Sequence, residues 1–426
     1  MIAEFTKKDI LVESLSGLDF SNEPQHYLSL REEAKNRLKN LEVPTTKDEY
    51  WKYTRLGKIV NNTYSPGALE SIDLTDHLIP ALDANIIVLV NGYYSSELSC
   101  VEEQEGIVVL PLGVGKEKGS LLPDYFNKLA HNEELFMALN NAFHTDGVCI
   151  HATKNAVIEK PYHIVNVMTG ENVIAQTRNF FWAEQSSSFK VIESFVNLGE
   201  GTNFMNNVCE FFVDDNAQLE YNKIQNAGSE NFHISTEQVY QAANSNFTIN
   251  TATFTGALVR NNLNIEVDAS NCETNLSGLY LGKGKDHLDN HTVVDHKKPH
   301  CNSNEVYKGV LDDQSTGVFN GKVFVRQDAQ ITNAFQQNNN ILLSDDASVN
   351  SKPELEIYAD DVKCSHGSTT GQLDDEAIFY LQSRGIKKRS AVNLMINAFA
   401  KDALERVSIE PLSNYIDSKI EDRFMN

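Results

Sequence analysis

The sequence predicts a mainly β protein, a stacked-coil β body held between helical segments at its two ends. Three observations carry that prediction. From about residue 147 to 362 a helical period is almost absent. β-Branched and aromatic residues there alternate with Asn, Thr, Ser and Gln, as in Phe247-Thr248-Ile249-Asn250-Thr251-Ala252-Thr253-Phe254 and Lys322-Val323-Phe324-Val325. Alternation at a period of two marks half-buried strands. Within that stretch a loose motif recurs: Asp268-Ala269-Ser270, Asp328-Ala329-Gln330 and Asp346-Ala347-Ser348 each introduce a strand-like run, and Ala217, Ala243 and Ala269 lie 26 residues apart. A small residue at a corner, repeated at such a period, suits coils that bury their apolar faces on one another. Finally, apolar residues at helical spacing are confined to the ends. A β-sandwich is the competing architecture; the repeat favours a β-helix.

The elements follow in order. Residues 25–41 carry Leu28, Leu30, Ala34, Leu38 and Leu41 near a 3.6-residue period amid charged side chains, and Pro44 stops that helix. Thr46, three residues before Glu49, reads as a cap opening a short segment with Trp51, Tyr53 and Leu56. A buried strand is expected at 86–90 before Asn91-Gly92, and a helix at 133–143 with Leu135, Phe136, Leu139 and Phe143. After the β body, residues 372–383 return to helix, with Asp374, Asp375 and Glu376 at the N-terminal end favoured by the helix dipole and Gly385 as the stop. Ser390 opens a longer helix, and Pro411 a last one. The expected domains are 1–146, 147–362 and 363–426.

Bulk properties narrow the function. The 426 residues are 41% hydrophobic, enough for a sizeable core, and 59 acids against 36 Lys and Arg give a net charge of −23. Such a balance argues against nucleic acid, whose phosphates need clustered cations, and against an anionic membrane surface. The first residues contain no apolar secretory stretch, and the longest strongly apolar run, 86–90, is far too short to span a bilayer. Six cysteines (Cys100, Cys149, Cys209, Cys272, Cys301, Cys364) are spaced at least 29 residues apart without a CxxC pair. That pattern disfavours a self-contained zinc or cluster site and suits a reducing, cytoplasmic setting.

Few motifs carry chemistry. Residues 278–284 (GLYLGKG) and 113–120 (GVGKEKGS) lack the spacing of a phosphate-binding loop, so no nucleotide site is expected in this chain. His287, Asp289 and His291 recur at alternate positions, with Asp295, His296, His300 and Cys301 following. On a strand the first three would share a face as a nitrogen and oxygen metal patch, or simply be polar exterior side chains of a coil, which is the favoured reading. Cys364 and His366 also share a face if strand geometry persists there, a thiol and an imidazole of the softness iron or zinc prefers. Two ligands cannot close a site, which points to a second chain. A Cys–His nucleophile pair is disfavoured, because neighbours on one strand rarely meet in hydrogen-bonding geometry.

The stretch Asp361-Val362-Lys363-Cys364-Ser365-His366-Gly367 and its continuation through Gly371-Gln372-Leu373-Asp374-Asp375-Glu376 to Ser383-Arg384-Gly385-Ile386 resembles the C-terminal signature of the SufB/SufD family, in its D branch. The likeness extends through Lys352-Pro353-Glu354-Leu355, Tyr307-Lys308-Gly309-Val310-Leu311 and Asp289-Asn290-His291, and to Pro44–Thr54 near the N-terminus. Ser368-Thr369 replaces the usual Ala-Thr. The resemblance implies a right-handed parallel β-helix flanked by helical domains. It implies a non-catalytic scaffold of the SUF system that assembles Fe–S clusters. It further implies a SufB partner at the β-helix end, the SufC ATPase on about 372–407, and a transient cluster shared with SufB through His366 and Cys364. A homodimer of the isolated chain is left open. A polysaccharide lyase or related β-helix hydrolase, and a metal carrier acting alone, are the rival readings.

Overall fold

In the computed structural model, which describes residues 7–118 and 125–425, the coils are stacked and no sandwich forms. From Val148–Ala152 onward, successive strands go alternately to two ten-stranded sheets, and each pairs in parallel with the strand two along the chain. Gln218–Asn226, for example, lies between Ser188–Asn197 and Asn246–Thr255. The result is a parallel β-solenoid of about eight turns. Alternation sends one set of side chains into the space between the sheets, where Phe181, Phe211, Tyr221, Phe247, Leu276, Tyr307 and Phe319 are buried. The rings of Phe181 and Phe211, on neighbouring coils, stack at 4.7 Å. Each such side chain contributes roughly 1.5–3 kcal/mol by leaving water.

The repeat has a different basis from the alanine echo. Asn155, Ser186, Asn216, Asn244, Asn271, His300 and Ile331 form a column of corners, all with φ between 57° and 65°. Their N–H groups donate to the next coil, as from Asn216 to the Ala243 carbonyl and from His300 to the Gln330 carbonyl. Successive corners are 27 (Asn244 to Asn271) to 31 (Asn155 to Ser186) residues apart. Asn recurs because its short polar side chain tolerates left-handed geometry. At six of these seven corners the next residue along the chain (Ser187, Ala217, Ser245, Cys272, Cys301 and Thr332) is small and buried, as a tight corner requires. Ala217 comes just after its corner whereas Ala243 precedes one, so the 26-residue spacing joins positions that are not equivalent.

Helical segments cover the outer faces of both sheets. The helices Lys7–Leu15, Gln25–Leu38 and Leu135–Phe143 pack with Trp51 and Leu56 against Phe204, Ile234 and Leu258 of one sheet. The helices Lys388–Lys401 and Glu410–Met425 bring Ile396, Ala400, Leu412, Ile416 and Ile420 onto Ile224, Ala252, Leu279 and Val310 of the other. Asp374 caps Asp375–Ser383 by accepting from the Glu376 and Ala377 N–H groups, and Gly385 ends that turn at φ 87°. The strand Asn85–Val90 already pairs with Tyr162–Met168 in the solenoid, although it precedes residue 147. At the other end, Val362–Gly371 continues the sheet past residue 363.

Candidate functional site at the open end of the solenoid

Val362–Gly371 is the terminal strand of its sheet and, among the described residues, pairs only with Thr332–Leu342, Cys364 opposite Ala334 and His366 opposite Gln336. Ser348–Ile357 terminates the other sheet. Cys364 packs with Val323, Val325, Ala329 and Ala334, which puts it on the inner face; alternation puts His366 and Ser368 there too. Ser368 Oγ donates to Ser351 Oγ at 2.8 Å. One coil earlier the same inner position is sealed, and Gln336 is only 3% exposed. His366 stands in solvent on the last strand of its sheet. The thiol and imidazole expected to share a face do so, on the rim of an unfinished core.

Cys364 is half-buried, and that burial pushes its thiol pKa up against the lowering effect of the Ala334 backbone N–H. It is therefore a thiol at neutral pH and would bind a metal only by giving up its proton. Directly beneath His366 lies a ladder that sequence reasoning did not find. Gln336 Nε2 donates to Glu305 Oε2 at 2.7 Å, and Thr292 Oγ1 donates to Glu305 Oε1 at 2.5 Å. Burial pushes the Glu305 carboxyl up to about 7, with the Thr292 and Gln336 hydrogen bonds opposing it. Gln336 Oε1 is buried without a partner among the described residues. Glu305, Gln336 and His366 are in register on three adjacent strands, a relation set by coil length and not by any local spacing in the sequence.

The histidine run resolves differently. His287, Asp289 and His291, on the strand His287–His296, face the N-terminal segment. Thr54 Oγ1 donates to Asp289 Oδ2 at 2.5 Å and lies 2.9 Å from His287 Nε2. Arg260 Nη1 donates to Asp289 Oδ2 at 2.7 Å and to the Tyr50 carbonyl at 2.9 Å, and its guanidinium stacks 3.8 Å from the Trp51 ring. His291 Nε2 is 3.0 Å from Asp289 Oδ1. Burial acts to raise the Asp289 pKa, but His291 and Arg260 outweigh it and hold the carboxyl below its ordinary range. Burial lowers the pKa of both His287 and His291. These groups form a latch for residues 50–54.

The rest of the run scatters. His296 points inward, 2.9 Å from Ser303 Oγ, and burial pushes its pKa down to about 4. Asp295 accepts from Arg326 at 2.8 Å on the outside. His300 is an exposed corner, and the Cys301 thiol donates to the Ala269 carbonyl at 3.2 Å beneath it. Among the described residues no group of three or more His, Cys, Asp and Glu is placed to hold a metal ion.

Comparison with known proteins adds to this geometry. Residues 166–399 match the family described as SUF system FeS cluster assembly, SufBD core domain, and residues 20–164 match the SufBD protein N-terminal region. The chain belongs to the SufBD family. It is 32% identical to the iron–sulfur cluster assembly protein SufD of Escherichia coli over 386 residues, covering 89% of each chain. An iron–sulfur cluster assembly SufBD family protein of Synechocystis is 29% identical over 90% of this chain and 88% of its own. A chloroplastic protein of Arabidopsis thaliana is 28% identical over 93% and 85%. Membership gives this SufBD protein a role in Fe–S cluster assembly as a SufD-like chain. None of its described helices is long and apolar enough to cross a membrane. A second exposed feature of the SufBD chain is apolar: Phe379, Tyr380 and Leu394 on the C-terminal helices.

Proposed function

We propose that this SufBD protein is a non-catalytic scaffold whose open solenoid end supplies part of a cluster-assembly site and a SufB-type partner the remainder. The observation that carries this reading is the exposed inner face at the last coil, where Cys364 and His366 stand beside two sheet edges that end the stack. Edges of this kind pair readily with another chain. Phe335, Ile357 and Tyr358, exposed on the last coils, add apolar area for such a contact. The Fe–S cluster is the cargo; a thiol and an imidazole suit iron, and two donors leave positions for ligands from the partner.

The exposed aromatic pair Phe379 and Tyr380 and Leu394, all within 372–407, supports docking of the SufC ATPase there. Because Lys388–Lys401 is packed on the solenoid through Ile396 and Ala400, a partner that pulls on these helices on binding ATP would transmit force to the β body as a rigid-body movement. A metal carrier acting alone fits less well, since among the described residues no group of three or more His, Cys, Asp and Glu is placed to hold a metal ion. His366→Ala is the test. Reconstituted with the SufB-type and SufC-type partners, the variant should lose most visible cluster absorbance while its melting temperature stays within about 2 °C, as expected for an exposed side chain. Normal cluster formation by the variant would remove the reading.

A further inference from the structure

The interior of the last coils contains a ladder that stops one rung short of the rim. Thr292, Glu305 and Gln336 are joined by hydrogen bonds of 2.5 and 2.7 Å, and all three are buried. Glu305 and Gln336 occupy paired positions on adjacent parallel strands, and Gln336 is paired in turn with His366. Strands in a sheet are about 4.8 Å apart, so a donor on the His366 ring lies within reach of the Gln336 amide after a side-chain rotation. Two details fix the direction of the amide. Its Nε2 is committed to Glu305, which turns Oε1 away from that carboxylate, and Oε1 is buried with no partner among the described residues. Gly321 makes room for it: a Cβ there would lie 2.4 Å from Gln336 Nε2. A buried acceptor left unpaired is costly, about 1–3 kcal/mol, and such groups call for an explanation.

We infer that Gln336, held by Glu305, is the positioning residue for His366: its Oε1 accepts one imidazole N–H, fixing the tautomer and leaving the other ring nitrogen free to bind. The inference rests on the proposed role of His366. Ring nitrogens that bind metals commonly donate their other N–H to a carbonyl or carboxylate, and the orphaned oxygen is such an acceptor placed in advance. Neither Gln336 nor Glu305 touches the cargo. They act through His366.

The test uses the full chain with 15N-labelled histidine, His366 being assigned by its loss in His366→Asn, together with the complex reconstituted with both partners. Gln336→Met keeps the side-chain length and removes the acceptor; Gln336→Glu keeps an acceptor oxygen. In wild type, one His366 ring nitrogen should show the shift of a protonated donor and the other that of a bare acceptor once the partner covers the rim. Gln336→Met should return the ring to a mixture of tautomers, and iron should be stripped from the loaded complex by a chelator about 10–100 times faster. Gln336→Glu, whose carboxyl can bond to Glu305 only while the two share a proton, should keep the single tautomer at pH 6 and lose it at pH 8. Unchanged tautomer and stripping rate in Gln336→Met, with His366→Ala still defective, would overturn the positioning role and leave the scaffold reading intact. A His366→Ala complex that loads normally would overturn both. If Gln336→Met fails to fold, Gly321→Ala, which crowds the same amide, is read by the same nitrogen shifts.

Discussion

At the scale of single residues, Glu305 has a directly measurable consequence. Its carboxyl, fully buried, is raised by desolvation to about 7. Between an ordinary carboxylate value and that figure the folded chain holds a proton that the unfolded chain has released, so stability falls as pH rises through the window. The deficit above pH 7 is on the order of 3 kcal/mol. Glu305→Gln removes the titration, so its stability relative to wild type should rise by an amount of that order between pH 5 and pH 8. Urea unfolding midpoints at the two pH values measure it; a pH-independent difference would contradict the account. Cys364 and His366 were legible because spacing of two on a strand needs no knowledge of the coil. Glu305 and Gln336 were not, since coil length varies and register one coil away cannot be counted from sequence alone.

At the scale of elements, the corner column and the latch decide how coils and flanking segments sit. Ile331 occupies a left-handed corner at φ 59°, where four other coils place Asn216, Asn244, Asn271 and Asn155. A β-branched residue there is strained by roughly 1–2 kcal/mol. Ile331→Asn should therefore stabilise the chain by about 1 kcal/mol in chemical denaturation, since Asn tolerates left-handed geometry far better. A loss of stability would show that its exposed side chain makes a contact worth more than the strain. The latch predicts the opposite sign: Asp289→Ala leaves Arg260 buried without its carboxylate and should cost about 3–5 kcal/mol. Loosening of residues 50–54 should accompany it, read by limited proteolysis. Helical period located Gln25–Leu38 and Leu135–Phe143, although Leu135–Phe143 is buried all round, Asn140 and Asn141 included, and the buried face of Gln25–Leu38 includes Arg31. The alanine echo mislocated the repeat, because the chain turns at left-handed Asn positions rather than at alanines.

At the scale of the whole molecule, two exposed regions stand at the solenoid's end and on its C-terminal helices. Phe379 is 73% exposed, so Phe379→Asp should leave the melting temperature nearly unchanged while abolishing co-purification with the ATPase partner. The fold class was readable because alternation and terminal helices are local signals. The openness of the last coil was not, since an inner face is exposed only when no further coil is stacked on it, and stacking is a long-range property. The most direct measurement of the central claim is visible cluster absorbance after anaerobic reconstitution of this chain alone, the SufB-type partner alone, and the two with SufC. The account predicts that the partner without this chain, or with its His366→Ala variant, forms markedly less cluster than the full set, and that this chain alone forms none. A full cluster on this chain by itself, or equal yield without His366, would contradict it.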